Sequence, residues 1–510
     1  MGADPASNSS GPGHAAPRRR RVWVDLDRRP SVAEGLRLGV VNESAAARLL
    51  AETGNAGGGS TPAIAIALHR RAHQDRTDPH RQRAQRVMTT GSQILLRTGY
   101  RCDLLRDEDE VWRRLLEAPP APFPSRDRRP PSVIFSVQSA APRVTVAYRS
   151  AVSGNEEEGS GPPAPWADLC MSTTRLSMAI LEAGPDSADV PGVIAEASQA
   201  IAERGICPEI VLTSHNQIFV AAQPEEARHA YEALRDAARP SGPERLPDES
   251  SSPPRGIPLG PMGDDERPDG PPRAEGAERE TAVETARRFL ARHQSLADCL
   301  SLGIVNLAAL ARRISAETGD SRTDAIEIAL RREQARPPSE GTAESRVLAV
   351  AARTSLEMRT GVAILSAPNA PEALARILSV GLEAAPDRRR LFQILQSPAS
   401  LTILCGEDLV ERVVQAVGGG PSVRVRRDLV AAILRSPPEI QTTPGILAYF
   451  ARTIARADVN CLEMMSLGLE STFVVAREDS VRTFETLVRA IRPAPAPGDA
   501  EAVPSRSGRR

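Results

Sequence analysis

The chain repeats itself. "LGVVNESAAARLLAETG", Leu38–Gly54, returns as "LGIVNLAALARRISAETG", Leu302–Gly319, with Gly303 standing 264 positions after Gly39. Over the first eleven aligned positions the two share Leu, Gly, Val, Asn, two Ala and Arg, more than two unrelated amphipathic helices share through composition. The likeness continues with "RTG" at Arg97–Gly99 and Arg359–Gly361, and "IFSVQSAAPRVTV" from Ile134 aligns without gaps with "LFQILQSPASLTI" from Leu391. The stretch from Val190 likewise parallels that from Thr443. Elements in the same order in both halves predict one multi-element unit, present twice.

Between the copies, residues 237–280 are dense in Pro, Gly, Ser and charge and nearly empty of large apolar side chains. Such a segment buries too little surface to offset its ordering entropy and reads as a disordered linker. The tails, 1–21 and 494–510, read the same way. Helical modules are expected at 22–83 and 281–337. Sheet-forming pairs of modules are expected at 84–236 and, in the second copy, at 338–426 and 427–493.

Within each unit the apolar period changes once. Leu302, Val305, Leu310 and Ile314 fall at helical spacing, and after Gly319 a second helix carries Ile326, Ile328, Ala329 and Leu330. Ser321 with Asp324 reads as a capping box, and Ser60 or Thr61 precedes Pro62 at a first helical position. A helix, a glycine turn and a second capped helix predict helix-turn-helix geometry. The order β-α-β-β-α then follows twice per unit. Strands are expected near 356–365, 391–395, 401–405, 427–434, 460–467 and 471–476; helices near 371–380, 407–417, 445–456 and 480–491. The fold class is α+β: two tandem units, each a helical head followed by two ferredoxin-like modules with helices on one face of an antiparallel sheet.

Composition narrows the chemistry. The chain has 64 basic residues and no lysine among them, which removes the P-loop, Schiff-base and common kinase lysines. Its net charge of −1 offers no whole-chain attraction to nucleic acid or anionic membrane. Six cysteines lie far apart with no C-x-x-C pair, which suits a reduced, cytoplasmic interior. No apolar run reaches bilayer length. Nucleophile-elbow, dinucleotide-binding and zinc-protease motifs are absent, and "VGGGPS", Val417–Ser422, sits between a helix and a strand where it makes a turn. No enzymatic activity and no cofactor are expected. His69 and His73 stand one helical turn apart and His80 follows, but no Cys or carboxylate completes a metal set.

The segment Val430–Ile491 resembles the ACT domain, the small ligand-binding module of amino-acid-metabolism regulators. The carriers are Pro444-Gly445 after the first strand, "ARADVN" ending at Asn460, and "STFVVAREDSVRTFETL" as third strand and last helix. With its head, "LGIVN" and "ALARRI", the whole unit is similar to archaeal proteins described as predicted regulators of amino-acid metabolism. The resemblance implies paired modules that bind an amino acid between the loop of one and the strand of its partner, with Thr443, Pro444, Gly445, Ile446 and Asn460 as the ligand-binding set. Glycine at a strand-to-helix turn lets backbone approach a ligand, and the helix start beyond it attracts a carboxylate. In the first copy Pro191 and Gly192 keep the turn, but Cys207-Pro208 takes the place of the Asn, so that copy is expected to bind differently or not at all.

Transcriptional control through the heads is the function the resemblance implies. The residues placed against DNA are Arg70, Arg71 and Arg76 in the first head and Arg322, Thr323, Arg331 and Arg332 in the second. The alternative is a regulator or scaffold whose heads dock on a metabolic enzyme. The expected partners are a small amino acid, DNA or such an enzyme, and further ACT modules, with no membrane.

Overall fold

The computed structural model describes residues 22–23, 25–52, 60–106, 108–117, 135–140, 143–149, 166–239, 281–336, 341–384, 391–397 and 400–492. The expected tails lie outside the described residues, as does the expected linker beyond residue 239.

The first half opens with α1 (Pro30–Arg37), α2 (Glu43–Glu52), α3 (Thr61–Arg76) and α4 (Pro79–Thr89). It continues as β1 (Gln93–Leu105), α5 (Glu108–Glu117), β2 (Phe135–Ala140) and β3 (Arg143–Arg149), then β4 (Cys170–Glu182), α6 (Val193–Glu203), β5 (Ile210–Ser214), β6 (Gln217–Ala222) and α7 (Pro224–Ala237). The second half runs α8 (Ala282–Ala291), α9 (Gln294–Ser301), α10 (Leu307–Thr318), α11 (Thr323–Gln334) and α12 (Ala343–Ala351). After these come β7 (Ser355–Pro368), α13 (Pro371–Ala384), β8 (Phe392–Gln396), β9 (Ser400–Gly406) and α14 (Val410–Val417), and finally β10 (Arg424–Arg435), α15 (Ile446–Arg456), β11 (Glu463–Leu467), β12 (Glu470–Ala476) and α16 (Ser480–Ile491).

Twelve described strands close into one antiparallel ring, ordered β1-β3-β2-β8-β9-β7-β10-β12-β11-β5-β6-β4 and back to β1. Where both faces are covered the strands are mainly apolar on both, as in β5, β8 and the latter parts of β4 and β10. Along β10, Val430, Ala432 and Leu434 point to the outer core under the helices, whereas Leu429, Ala431 and Ile433 point into a core enclosed by the ring. That inner core mixes side chains of both halves, among them Met178 and Phe219 with Ile364 and Met465.

The halves meet at residues that pair with their own counterparts. Val41 bridges Val305, Val137 pairs with Ile394 between β2 and β8, and Leu212 pairs with Met465 between β5 and β11. A local two-fold axis therefore passes through the heads and through both sheet seams. The repeated "LG-V-N" motif is one of those seams: Asn42 N donates to Ile304 O at 2.7 Å, and Asn306 N donates to Val40 O at 2.7 Å. The two heads share one core, and α1 crosses α9 where Gly35 leaves no room, since a Cβ there would lie 2.6 Å from Val41 Cγ2 and 2.8 Å from Cys299 Sγ.

Several sequence expectations are corrected here. Leu302 and Val305 do not continue the helix of Leu310 and Ile314: α9 ends at Ser301, Gly303 turns at a φ of 70°, and Val305 belongs to the seam. Ser321 does not cap α11; the N-cap is Arg322, and its N–H is accepted by Asp320 at 2.9 Å. The boundary drawn at 83/84 falls inside α4, whose polar sequence buries only Ala84 and Met88. Asn460 lies before β11 rather than within it. No described helix is long and apolar enough to cross a membrane.

Candidate ligand clefts and their link to the heads

Because β5 and β11 pair edge to edge, α6 and α15 lie side by side on the outer face, and the start of each helix meets the end of the other. Both start from a left-handed glycine, Gly192 at φ 93° and Gly445 at φ 97°, a conformation that costs other residues a Cβ clash. No side chain caps either helix, so the first-turn N–H groups remain available to a carboxylate.

Two clefts result. The first is framed by Ser187–Ala195 and the β5–β6 hairpin of the first half and by Ala451, Ile454, Ala455, Val459 and Cys461 of the second. The second has the reverse parentage: Ile440, Thr443, Gly445 and Ile446 against Ile201, Cys207, Pro208 and Val211. Each encloses about 30 Å³, room for a water or two. An amino acid therefore enters only if α6 and α15 part.

The candidates named from sequence are thus divided between two clefts. Thr443, Gly445 and Ile446 line the second, with Pro444 in the same turn. Gly192 lines the first and follows Pro191. Asn460, between the cleft-lining Val459 and Cys461, is not itself in the lining of the first cleft; its Nδ2 donates to Ala188 O of the loop before Gly192 at 3.0 Å. So the asparagine of the second half serves the loop of the first, and Cys207-Pro208 serves the loop of the second. Burial pushes the Cys207 thiol up to about 12, and its Sγ contacts Ile440 O at 3.2 Å.

The first cleft also has a polar wall not named from sequence: Thr213, His215, Asn216 and Gln217. Its signal was the turn "SHNQ" between two apolar runs. His215 adopts φ 57° where its counterpart is Gly468 at φ 58°, so a histidine holds a backbone shape that glycine holds across the axis. Behind it lies the buried Glu463, which accepts from His215 N at 3.2 Å and from Thr213 Oγ1 at 2.6 Å. Burial pushes the Glu463 carboxyl up to about 7. Burial also lowers His215, helped by Arg424 and Arg426.

The same two helices carry the heads. From α6, Glu196 pairs with Arg81 of α4 at 2.9 Å, and Glu203 accepts from Ser295 N at 3.0 Å at the start of α9. From α15, Arg452 meets Glu34 of α1 at 3.3 Å and Arg456 meets Asp27 at 3.2 Å. Burial pushes Glu34 up, but Arg37, Arg81 and Arg452 outweigh it and hold the carboxyl well below the usual range. The second half also caps the first head: Glu344 accepts from Ser31 N at 2.9 Å, and Asp298 accepts from Ser31 Oγ at 2.8 Å and, within its own half, from Glu344 N at 2.9 Å.

Most residues placed against DNA are engaged inside the chain. Arg71 lies over Trp23 and pairs with Asp27 at 3.3 Å and Asp75 at 3.0 Å. Arg76 donates to Leu36 O and Arg37 O, both at 3.0 Å, closing the turn at Gly39. Arg322 is chelated by Asp320 at 2.7 Å, Arg331 pairs with Glu327 at 3.1 Å, and Thr323 bonds Ser315 at 2.8 Å. Arg70 and Arg332, at matching positions on α3 and α11, are exposed. Beside them Ile66 and Ile328, also matched, are 56% and 54% exposed.

No family model matches the chain, and neither does any curated protein. Among solved structures it is similar to aspartate kinase from Synechocystis, at 12% identity and a TM-score of 0.25, over 78% of this chain and 55% of that one. It is similar to the ligand-free regulatory subunit of aspartate kinase from Thermus thermophilus at 14% identity and a TM-score of 0.23, over 27% of this chain and 97% of that one. The Thermus flavus regulatory subunit follows at 12% identity and 0.22, with the same shares. The chain thus spans 55% of the length of the Synechocystis enzyme.

Proposed function

We propose that this chain is a non-enzymatic, amino-acid-responsive regulator in which a ligand parts α6 from α15 and so resets the two heads. The observation that carries the reading is the double role of these helices: each opens a cleft with its glycine-capped start and holds a head with its charged side chains. A ligand that favours the parted arrangement biases the heads only by its differential affinity for the two arrangements, typically about 1–3 kcal/mol. The first cleft, with its wall of Thr213, His215, Asn216 and Gln217 and its loop held by Asn460 through Ala188 O, is the sensor; the second, lined by Cys207 and Pro208, is the silent one. What two chains of an ACT pair would otherwise bring together is fused here in one chain, a duplication whose copies have diverged.

For the output, docking on a protein, such as a metabolic enzyme, is favoured over DNA. The matched, exposed Ile66 and Ile328 offer apolar contact, whereas Arg71, Arg76, Arg322 and Arg331 have partners of their own. Arg70 and Arg332 alone favour the transcriptional alternative. A salt-dependent shift of duplex DNA that weakens in the Arg70→Ala, Arg332→Ala double variant supports that alternative; no shift at low salt removes it.

The test of the sensor is thermal unfolding of the full chain against each of the twenty amino acids, with Asn460→Ala in parallel. Ligand at about 100 times its Kd stabilises by roughly 2.7 kcal/mol. A rise with one or a few amino acids, lost in the variant, is expected. Twenty unmoved midpoints would sink the reading.

A further inference from the structure

We propose that a small multivalent oxyanion, a phosphate or a polycarboxylate group, binds at the junction of the first head with α15 and α16. A cavity of about 190 Å³ opens there, lined by Asp27 and Arg28 before α1, by Thr453 and Arg456 of α15, and by Thr486 and Arg489 of α16. Three guanidiniums face one carboxylate, and Asp27 already serves Arg456 at 3.2 Å and Arg71 at 3.3 Å. Arg28 donates to Arg489 O at 3.3 Å and is near enough to the buried Asp25 to oppose its burial-raised titration, while its own Nε is buried with no hydrogen-bond partner among the described residues. The Arg489 guanidinium, among the described residues, donates within its own helix, to Glu485 O and Thr486 Oγ1, both at 3.1 Å. Excess buried or half-buried positive charge is stabilised by an anion, and a guanidinium fork matches phosphate or carboxylate oxygens in pairs.

The other half of the molecule supplies the comparison. Positions equivalent to Arg456 and Arg489 hold Glu203 and Asp236, and those equivalent to Thr453 and Thr486 hold Ala200 and Ala233. There the charges close among protein groups: Glu203 caps α9 through Ser295, and Arg204 pairs with Asp236 at 2.5 Å. Across the axis two acids have become two arginines and two methyl groups have become two hydroxyls; among the described residues the acids gained on this side are Asp25 and Asp27, standing where the other half has Phe289 and Ala291, and Asp27 is already shared by Arg456 and Arg71. A group that bridges Arg28 of the head to Arg489 of α16 tightens the first head on the second half. This site is separate from both clefts and does not depend on an amino acid binding in either.

The experiment is thermal unfolding of the full chain in inorganic phosphate, pyrophosphate or citrate, each against chloride at matched ionic strength. Arg489→Ala removes one fork from an exposed side chain, Arg489→Asp installs the acid of the other half, and Arg228→Ala, an exposed arginine on α7, is the control. At saturation at least one anion raises the midpoint of wild type and of Arg228→Ala by about 2 °C or more, and neither Arg489 variant responds. No response of wild type to any of the three anions, or an undiminished response in both Arg489 variants, overturns the proposal.

Discussion

Replacing Glu463 by Gln tests whether a proton is held between the halves of the molecule. The Glu463 carboxyl accepts from the β5–β6 hairpin of the first half, from His215 N and Thr213 Oγ1, and Thr213 Oγ1 in turn accepts from Met464 N at 2.7 Å. Burial pushes it up to about 7, with Arg426 the nearby cation acting in the opposite sense. An ordinary glutamate titrates near 4.3, so the folded chain holds this proton more tightly than the unfolded one. The stabilising contribution is fully present below the unfolded value and is lost as pH rises through about 7. Its full size is roughly 4 kcal/mol by linkage, of which roughly 3 kcal/mol falls between pH 5 and pH 8. Glutamine matches the protonated acid in shape and in being neutral, with one acceptor oxygen and an NH2 that donates in place of the acid O–H. Unfolding free energies of the full chain from pH 5 to pH 8 are the assay, read as variant minus wild type so that other titrating groups cancel. The two proteins should agree near pH 5, and the variant should be more stable by roughly 3 kcal/mol at pH 8. A difference that stays flat across that range refutes the protonated Glu463.

Three further outcomes follow from the packing. Arg452→Met leaves Glu34 buried beside two remaining arginines, and calorimetry should show a loss of about 3–5 kcal/mol, largely recovered when Glu34→Gln is added. Gly35→Ala drives a methyl group against Val41 and Cys299 where the heads cross, and should cost about 1–3 kcal/mol in the same measurement; an unchanged midpoint would falsify the tight crossing. His215→Gly relieves a left-handed backbone and should raise stability by up to about 1 kcal/mol while weakening any amino-acid response of the first cleft; a lowered midpoint would show that the histidine stabilises the hairpin.

Much of the local structure was legible because it depends on near neighbours in sequence. Strands β7 to β10 and β12 begin and end within a few residues of expectation, since a strand covered on both faces reads as an unbroken apolar run bounded by turn residues. Gly192 and Gly445 were legible as turn glycines for the same reason. The head motif misled, because Leu302 and Val305 match helical spacing while the backbone on either side of Val305 is held by the opposite copy, Ile304 O accepting from Asn42 N and Asn306 N donating to Val40 O. The candidate site was legible in its parts and not in its pairing. Which loop Asn460 faces is decided by the β5·β11 register, and nothing in the period of either strand states that Leu212 pairs with Met465. The Thr213–Gln217 wall was hidden for a related reason: a polar hairpin tip reads as solvent-facing until the end of α15 is placed beside it.

Closure of the ring has a consequence for how the chain is made. Strands β2 and β5 of the first half have as partners β8 and β11, which are translated later by some 250 residues, as with Val137 and Ile394. At about 5–20 residues per second, the first half leaves the ribosome with two unpaired strand edges and waits tens of seconds for them to be covered. During that interval the nearest substitute is the same half of a neighbouring nascent chain, whose edges have the same shape. Crowded translation on one message therefore favours swapped assemblies, and the length of the joining segment sets how fast the correct half arrives.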